Sequence, residues 1–287
     1  MNVCKRIIVI VHIFYPEFWC EIKSCLKNIT LPFDMVVTFV AEHPEIEKDV
    51  LQFYPDASII HCENKGFDVG PFFVALNSVD LSNYDYLIKL HTKRNIKFSE
   101  FPQSPVFYER LLWKDDVWRK KLLNFISGKD VFNRCIEMFN DPGVGMVAGD
   151  QGLLFDYCTE KASGDPEIYK QVENLFVKNY LFVAGTMFIA RTSLFSSVLS
   201  SASAFEITDR NDNQSLAHMW ERQFGAIVYQ KGMRIEAAGE NINKSIQLKI
   251  YAILYPVLKF LFHKKITRSN HLLVKVLKVP VFRKKIK

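Results

Sequence analysis

The densest group of residues with chemistry of their own follows an apolar run in the first third of the chain. It reads Lys89-Leu90-His91-Thr92-Lys93-Arg94. Cations and N–H donors of this kind can neutralise a diphosphate without a metal, and an imidazole can donate a hydrogen bond or a proton to a leaving phosphate oxygen. A solvated basic turn is the alternative. The segment predicts diphosphate binding by Lys89, Lys93 and Arg94, and a catalytic role for His91.

A glycine-bearing loop follows the preceding apolar run and reads Asn64-Lys65-Gly66-Phe67-Asp68-Val69-Gly70-Pro71. Gly66 and Gly70 permit backbone conformations closed to other residues, which let the chain approach a ligand closely, and a helix that begins behind the loop favours an anion or a hydroxyl-rich group. The spacing matches neither a Walker loop nor a dinucleotide fingerprint. Asn64, Gly66 and Asp68 are therefore ligand candidates, with an ordinary tight turn as the alternative.

Two small residues interrupt an apolar stretch in the second half of the chain. Leu181–Ala190 is predicted as a nearly continuous buried strand with Gly185 and Thr186 at its centre. Glycine weakens a strand unless a ligand or another backbone approaches it closely. A wall that faces the substrate and a plain β-bulge both fit this pattern.

A predicted helix over Ser215–Phe224 carries the remaining candidates. His218, Glu221 and Arg222 are spaced i, i+3 and i+4, so they share one helical face. A transferase that inverts an anomeric carbon needs a carboxylate to deprotonate the acceptor hydroxyl, and Glu221 fits that task. A surface ion pair beside a half-buried histidine is the alternative. Two competing bases lie in the preceding loop, Asp209 and Asp212.

The elements that must position these residues alternate along the chain. Strands are predicted at residues 6–13, 35–40, 57–61 and 84–90, with helices between them, which indicates an α/β fold with a mainly parallel, doubly wound sheet. Ligands of such sheets bind beyond the carboxyl ends of the strands. This rule brings together three loops: His12–Glu17, Asn64–Pro71 and His91–Asn95.

Composition indicates one ordinary domain followed by a basic tail. The chain has 287 residues, of which 49% are hydrophobic, and a net charge of +6. No acidic residue follows Glu240, and the twelve Lys and Arg after it leave a net charge of −6 on residues 1–240. Six cysteines without paired or zinc-type spacing predict a cytosolic protein with no structural metal. We therefore expect a body over residues 1–240 and a tail over 241–287.

The tail combines apolar periodicity with positive charge. Residues 246–262 place apolar side chains on one helical face, and a second short helix is predicted over Asn270–Lys278. Lysines interrupt the first run, which is too short to span a bilayer. A basic amphipathic helical tail predicts attachment to the anionic inner face of the cell membrane. A tail helix packed on the body is the alternative, and without a recognition motif nucleic-acid binding is not expected.

Five segments in order resemble the rhamnan synthesis protein F family of polysaccharide-building glycosyltransferases. The resemblance covers roughly residues 5–235, and the basic tail lies outside it. The segments that carry it are His12-Ile13-Phe14-Tyr15-Pro16-Glu17-Phe18-Trp19, Asn64–Phe72, Tyr84–Lys93, Phe182–Arg191 and Leu216–Gly225.

This resemblance implies a GT-A-like transferase that moves a deoxyhexose such as rhamnose from a dTDP donor to a lipid-linked or polymeric glycan. It places Tyr15 on the base, Asn64 and Asp68 at the ribose or sugar, and His91 with Lys93 at the diphosphate. The acceptor side would comprise Gly185, Thr186, His218 and Arg222.

Two features leave parts of this implied function open. Lys65 and Phe67 stand where the family often has arginines, so the donor sugar is undecided. Cations replace the Asp-x-Asp metal motif of many such enzymes, which makes a divalent metal dispensable. The same replacement keeps a rival hypothesis open, a catalytically silent, membrane-docked partner of a polysaccharide assembly complex.

Overall fold

The structure is a computed structural model that describes residues 6–94, 116–149, 152–155, 181–196, 216–239, 262–266, 271–277 and 279–285. The chain divides into two compact units. One comprises residues 1–94 and 121–240, and the other comprises 95–120 and 241–287. The candidate base Asp212 and its neighbour Asp209 lie outside the described residues, as does most of the first predicted tail helix.

A seven-stranded sheet forms the core of the first unit, and a separate two-stranded sheet accompanies it. The first nine strands of the chain are β1 (Ile7–Ile13), β2 (Phe33–Phe39), β3 (Ser58–His61), β4 (Tyr86–His91), β5 (Val144–Ala148), β6 (Leu153–Phe155), β7 (Leu181–Val183), β8 (Phe188–Arg191) and β9 (Arg234–Ala237). The large sheet has the order β3-β2-β1-β4-β8-β5-β9, and β6 pairs with β7. β8 alone runs antiparallel to its neighbours in the large sheet. The predicted α/β fold with a mainly parallel sheet is confirmed.

The described helices are α1 (Trp19–Leu26), α2 (Pro44–Phe53), α3 (Val69–Asn77), α4 (Val117–Leu122), α5 (Lys129–Met138) and α6 (Leu216–Gln230). A short 3-10 helix over Pro16–Phe18 leads into α1. Proline begins both this turn and α2, where its missing N–H and fixed φ suit the first helical position. The five central strands of the sheet are mostly apolar and buried, as expected where helices flank a parallel sheet, whereas the edge strands β3 and β9 are more polar and partly exposed.

Aromatic contacts join α3 to α6. The ring of Phe73 lies 4.8 Å from Trp220, and that of Phe72 lies 5.5 Å from Phe224, with both pairs meeting edge to face. Gly225 lets α6 approach β7, because a Cβ at that position would lie 2.3 Å from the carbonyl oxygen of Leu181. This close packing holds the first turns of α6 beside the residues that follow β7.

The predicted single strand over Leu181–Ala190 is wrong. The structure has two short strands in different sheets, β7 and β8, separated by a turn at Gly185 and Thr186. Both turn residues have left-handed backbone angles, with φ of +91° and +51°. Apolar composition hid the break, because both strands are buried and only the central Gly-Thr pair distinguishes a turn from a continuous strand.

The predicted helix over Asn270–Lys278 in the tail is also wrong. The second unit contains an antiparallel meander of β10 (Phe262–Ile266), β11 (His271–Val276) and β12 (Val279–Lys285). The alternating β-branched valines suit strands, and Pro280 disfavours a helix that would continue through it. None of the helices in the described part of the chain is both long and apolar enough to cross a bilayer.

Candidate functional site

The site lies where strand order reverses in the first unit. The chain builds β1, adds β2 and β3 on one side, and then places β4 on the other side of β1. Such a switch point opens a crevice beyond the carboxyl ends of the two adjacent strands. Because β8 runs antiparallel and pairs Phe188 with Lys89, the turn that precedes β8 reaches the same edge. Sheet topology thus brings the segments of Asp68, His91 and Thr186 together.

A buried polar cluster occupies this edge, centred on the carboxylate of Asp68. Its Oδ2 atom accepts from Lys89 Nζ at 2.5 Å and also from the Thr186 hydroxyl, while His91 Nδ1 lies 3.3 Å away. Lys89 Nζ donates in addition to Thr186 Oγ1 at 2.7 Å. The Lys89 and His91 side chains are 1% and 3% exposed, against 21% for Asp68. The cluster therefore has a buried floor formed by Lys89 and His91 and a carboxylate that reaches the surface.

Burial and the neighbouring charges set the protonation states in this cluster. Burial acts to raise the pKa of Asp68, but the charges of His91 and Lys89 outweigh it and hold that pKa well below the usual value. Burial lowers the pKa of Lys89 and lowers the pKa of His91 to about 4, although Asp68 opposes both shifts. At neutral pH the cluster therefore holds a carboxylate, an ammonium bonded to it, and an uncharged imidazole.

A second buried histidine extends the cluster across β1. His12 lies beside His91 in the register of β1 and β4, and beside Thr38 in the register of β1 and β2. Its Nδ1 atom is 3.0 Å from Thr38 Oγ1. Burial lowers the pKa of His12 to about 4. Polar residues therefore run across three adjacent strands inside an otherwise apolar core.

Thr92 fixes the loop that follows β1. Its Oγ1 atom accepts from the backbone N–H groups of Phe14 and Tyr15 at 3.0 and 2.8 Å, and its own N–H donates to the carbonyl of His12 at 3.0 Å. These bonds hold Tyr15 at the edge of the crevice, where its ring meets Phe14 edge to face at 4.9 Å. The Tyr15 side chain is thereby presented, partly exposed, beside the carboxyl end of β4.

The glycine loop delivers Asp68 to this cluster through two consecutive left-handed residues. Gly66 has φ of +71° and Phe67 has φ of +53°. The carbonyl of Gly66 then accepts from the N–H groups of Val69 and Gly70, which begins α3. Asn64 is exposed at the start of the loop. The prediction of a special backbone conformation is confirmed for Gly66 and is wrong for Gly70, which lies in the first turn of α3 without a left-handed φ.

Glu221 joins the cluster through the turn before β8. Its Oε1 atom accepts from the N–H of Gly185 at 2.6 Å, and its charge acts to raise the pKa of Lys89. The guanidinium of Arg222 lies instead over the ring of Phe182 at 5.1 Å. His218 lies in the first turn of α6, and its side chain lies outside the described part of the structure. The structure therefore brings Glu221, Gly185 and Thr186 to the residues that the first half of the chain supplies.

At the end of β4, Lys93 is partly exposed and Arg94 is exposed. The charge of Lys93 acts to lower the pKa values of three groups in the cluster, namely Asp68, Lys89 and His91. Both cations therefore present positive charge to solvent at this edge, whereas the ammonium of Lys89 is buried and bonded to Asp68 and Thr186.

No individual role was predicted for three members of this site: His12, Thr38 and Thr92. The sequence does contain a signal for the first two. Each is a single polar residue in a strand that is otherwise apolar, and a polar residue buried in such a strand needs a partner on a neighbouring strand. The role of Thr92 could not be found in this way, because it depends on which loop lies next to β4.

The cluster is a poor ligand set for a divalent metal. Magnesium and manganese prefer several carboxylate or carbonyl oxygens, whereas Asp68 is bonded to an ammonium and lies beside a buried imidazole. Among the described residues no group of three or more His, Cys, Asp or Glu side chains could hold a metal ion.

Comparison with known proteins identifies the family. The profile of the family described as rhamnan synthesis protein F matches residues 1–233, more than four-fifths of the chain. The chain belongs to this family. Two curated relatives are the uncharacterized WxcX proteins of Xanthomonas campestris pv. campestris, from strains B100 and ATCC 33913. They are 25% and 24% identical to this chain over 254 residues. The match covers 82% of this chain, which spans about a third of the length of each relative.

Solved structures resemble this rhamnan synthesis protein F family member only weakly. TarS residues 1–349 of S. aureus, crystallised alone and with UDP, cover 88% of the chain and 65% of their own at 11% and 12% identity, each with a TM-score of 0.43. Glucosyl-3-phosphoglycerate synthase of Mycobacterium tuberculosis, crystallised with UDP, covers 98% of the chain and 90% of its own at 9% identity and a TM-score of 0.37. Scores of this size carry no argument about activity.

The buried histidines predict a stability that falls with acid. The unfolded chain binds a proton at each ring near pH 6.5, whereas folded His12 and His91 bind theirs only near pH 4. The unfolded state therefore holds more protons between these values. The free energy of unfolding should be greatest above pH 7 and fall by about 2 kcal/mol per ring at pH 5.

Urea unfolding at pH 7.5 and 5.0 measures this dependence. His12→Gln should lose markedly less stability over this interval than the wild type, because one of the two rings is gone. Val50→Ala, a core substitution in α2 that removes no titratable group, is the control and should lower stability equally at both pH values. If wild type and His12→Gln lose the same stability on acidification, His12 is not buried in its neutral form.

Proposed function

We propose that this protein transfers a sugar from a nucleoside diphosphate donor to a growing bacterial polysaccharide. One observation carries the proposal: at the switch point of the sheet, Lys93 and Arg94 present positive charge beside the surface-reaching carboxylate of Asp68, while Glu221 comes to the same edge from α6. A diphosphate, a sugar and a hydroxyl nucleophile need these three kinds of group. Membership of the rhamnan synthesis protein F family supports the same class of reaction.

The donor would lie across the carboxyl ends of β1 and β4. Tyr15, held by Thr92, would stack on the base, and Lys93 with Arg94 would neutralise the diphosphate. Asp68 uses Oδ2 for its contacts with Lys89, Thr186 and His91. Its Oδ1 atom would then accept a hydrogen bond from a sugar or ribose hydroxyl. Asn64 would contact the same part of the donor from the start of the glycine loop. Lys89 supports Asp68 from below.

In the proposed reaction Glu221 is the general base. It would take the proton of an acceptor hydroxyl while that oxygen bonds to the anomeric carbon and the bond from this carbon to the phosphate oxygen breaks. The electron pair of that bond leaves with the nucleoside diphosphate, whose charge Lys93 and Arg94 stabilise. Direct displacement of this kind inverts the anomeric carbon. Because His91 is uncharged at neutral pH, it is a poor proton donor to the leaving phosphate, and we assign it a supporting position beside Asp68, with Nδ1 3.3 Å from Oδ2.

The finer parts of the proposal concern the substrates. Family resemblance favours a deoxyhexose such as L-rhamnose carried on dTDP, and a lipid-linked or polymeric glycan as acceptor on the inner face of the cell membrane. Gly185, Thr186, His218 and Arg222 would form the acceptor side, and Asp212 is the alternative base. The basic tail would attach the protein to the anionic membrane surface, so that the acceptor lipid is concentrated around it.

A thermal-shift panel of dTDP-, UDP-, GDP- and CMP-sugars, each with and without EDTA, tests donor binding. We expect one nucleotide class to raise the melting temperature, and the shift to survive EDTA because cations on the protein neutralise the diphosphate. Lys93→Ala should weaken that binding about tenfold, the loss of one charge-assisted contact. Lys231→Ala, at an exposed lysine before the amino end of β9 and so at the opposite edge of the sheet, is the matched control and should leave the affinity within about twofold.

No shift with any sugar nucleotide would contradict the proposal and favour the silent, membrane-docked partner. A shift that disappears in EDTA would keep the transferase but overturn its metal-independent form.

Glu221→Gln tests the catalytic base. The amide oxygen of glutamine can still accept from Gly185 N–H, so the fold and the thermal shift by the donor should be kept, while the rate of transfer falls about a hundredfold or more. Rates with saturating donor and a glycan acceptor measure the change. Glu45→Gln, at an exposed position of α2, is the control and should transfer at the wild-type rate. If Glu221→Gln transfers sugar at the wild-type rate, Glu221 is not the catalytic base, and Asp212 or Asp209 becomes the candidate.

A further inference from the structure

The hairpin that joins β11 to β12 ends in an exposed aliphatic tip. Val276 pairs with Val279 across the turn at Leu277. The residue exposures at the tip are 38% for Val276, 53% for Leu277, 59% for Val279 and 58% for Val281. Four large aliphatic residues thus stand exposed at one end of a single hairpin, which we call the valine-leucine tip.

The turn itself does not require an apolar residue. Leu277 has φ of +49°, a left-handed conformation that Gly, Asn and Asp adopt much more readily than leucine. Hairpin turns are usually formed by Gly, Asn, Asp or Ser, which tolerate such conformations or hydrogen-bond to their own backbone. Leucine here adds backbone strain and exposed apolar surface, so the fold of the hairpin does not explain its presence. A contact between the Leu277 side chain and a binding partner would explain why leucine is there.

Charge around the tip identifies the kind of surface it meets. Residues 262–287 contain nine Lys and Arg and no Asp or Glu. Lys275 and Lys278 adjoin the tip in sequence, and Arg283, Lys284 and Lys285 lie farther along β12, where they pair with the first residues of β11 at the other end of the hairpin. A partner must therefore accept aliphatic groups at the tip and carry negative charge along the hairpin behind it. An anionic bilayer does so, with acyl chains beneath a layer of negative headgroups.

We propose that the valine-leucine tip inserts into the interface of an anionic bilayer while the lysines and arginine of the same hairpin bind the headgroups. A nucleic acid fits this surface less well, because the tip offers neither aromatic rings for stacking nor hydrogen-bond donors for base edges. A second copy of the same hairpin would bring like charges together. The proposal deepens the membrane attachment in the proposed function and assigns it to a β-hairpin.

Flotation of the full-length protein with vesicles of phosphatidylcholine containing 30% phosphatidylglycerol, against pure phosphatidylcholine, tests this inference. Wild-type protein should float with the anionic vesicles. Leu277→Asn combined with Val281→Thr should bind at least tenfold more weakly, because two of the four aliphatic side chains of the tip become polar while every cation remains. Asn suits the left-handed turn and Thr suits a strand, so both changes preserve the hairpin.

Leu51→Asn, at a 41% exposed leucine on α2, is the matched control and should bind the vesicles like the wild type. The tip variant should also keep the thermal shift by sugar nucleotides, which separates failure of this inference from failure of the proposed transferase. Three results would overturn the inference: a wild type that does not bind anionic vesicles, a tip variant that binds them as well as the wild type, or equal binding to both kinds of vesicle. A wild-type dimer that the tip variant converts to monomer, without vesicle binding, would make the tip an interface between copies.

Discussion

The contact of Lys89 with Asp68 is the interaction on which the site depends. It joins the end of β4 to the first residue before α3, and through the Thr186 hydroxyl it also holds the turn before β8. A buried charge is tolerated only when it is paired and hydrogen-bonded, and removal of one partner of such a pair typically costs about 3 to 5 kcal/mol. Three segments that are distant in sequence are therefore held in one arrangement.

This contact also accounts for the backbone strain around the site. Phe67 and Thr186 both occupy left-handed conformations, which side chains other than glycine adopt at a cost of about 1 to 2 kcal/mol each. Asp68 follows the first of these residues, and Thr186 itself donates to Asp68. The strained turns and the polar cluster therefore form one unit, in which the bonds to Asp68 keep both turns in place before a ligand arrives. A site arranged in advance loses less entropy when it binds.

The sequence was sufficient to predict the sheet of the first half and the loops that meet at its edge. Strands β1 to β4 and the glycine loop have strong local signals, namely apolar runs bounded by Pro, Gly and polar residues. The division of residues 181–190 was not predictable in this way, since a turn inside an apolar run depends on β7 and β8 joining different sheets. The tail misled for a related reason: apolar residues among lysines fit a helical face, but the β-branched residues and Pro280 favour strands.

The same distinction applies to the candidate site, where the sequence could predict some residues and not others. Asp68, His91 and Lys93 follow from their place at strand ends, and the sheet topology alone brings them together. The approach of Glu221 depends on Gly225, which lets α6 lie against β7, and on a bond to the Gly185 backbone that no side-chain pattern records. Burial of Lys89 could not be foreseen either, because a lysine at the end of a strand is ordinarily solvated.

A crystal structure of the protein with a sugar nucleotide of the class that stabilises it would show where the diphosphate binds. We expect the diphosphate to lie across the carboxyl ends of β1 and β4, with an oxygen within about 3.2 Å of Lys93 Nζ, while Lys89 remains bonded to Asp68. A diphosphate bound elsewhere on the first unit, or a Lys89 that leaves Asp68 to bind the phosphate itself, would contradict this arrangement.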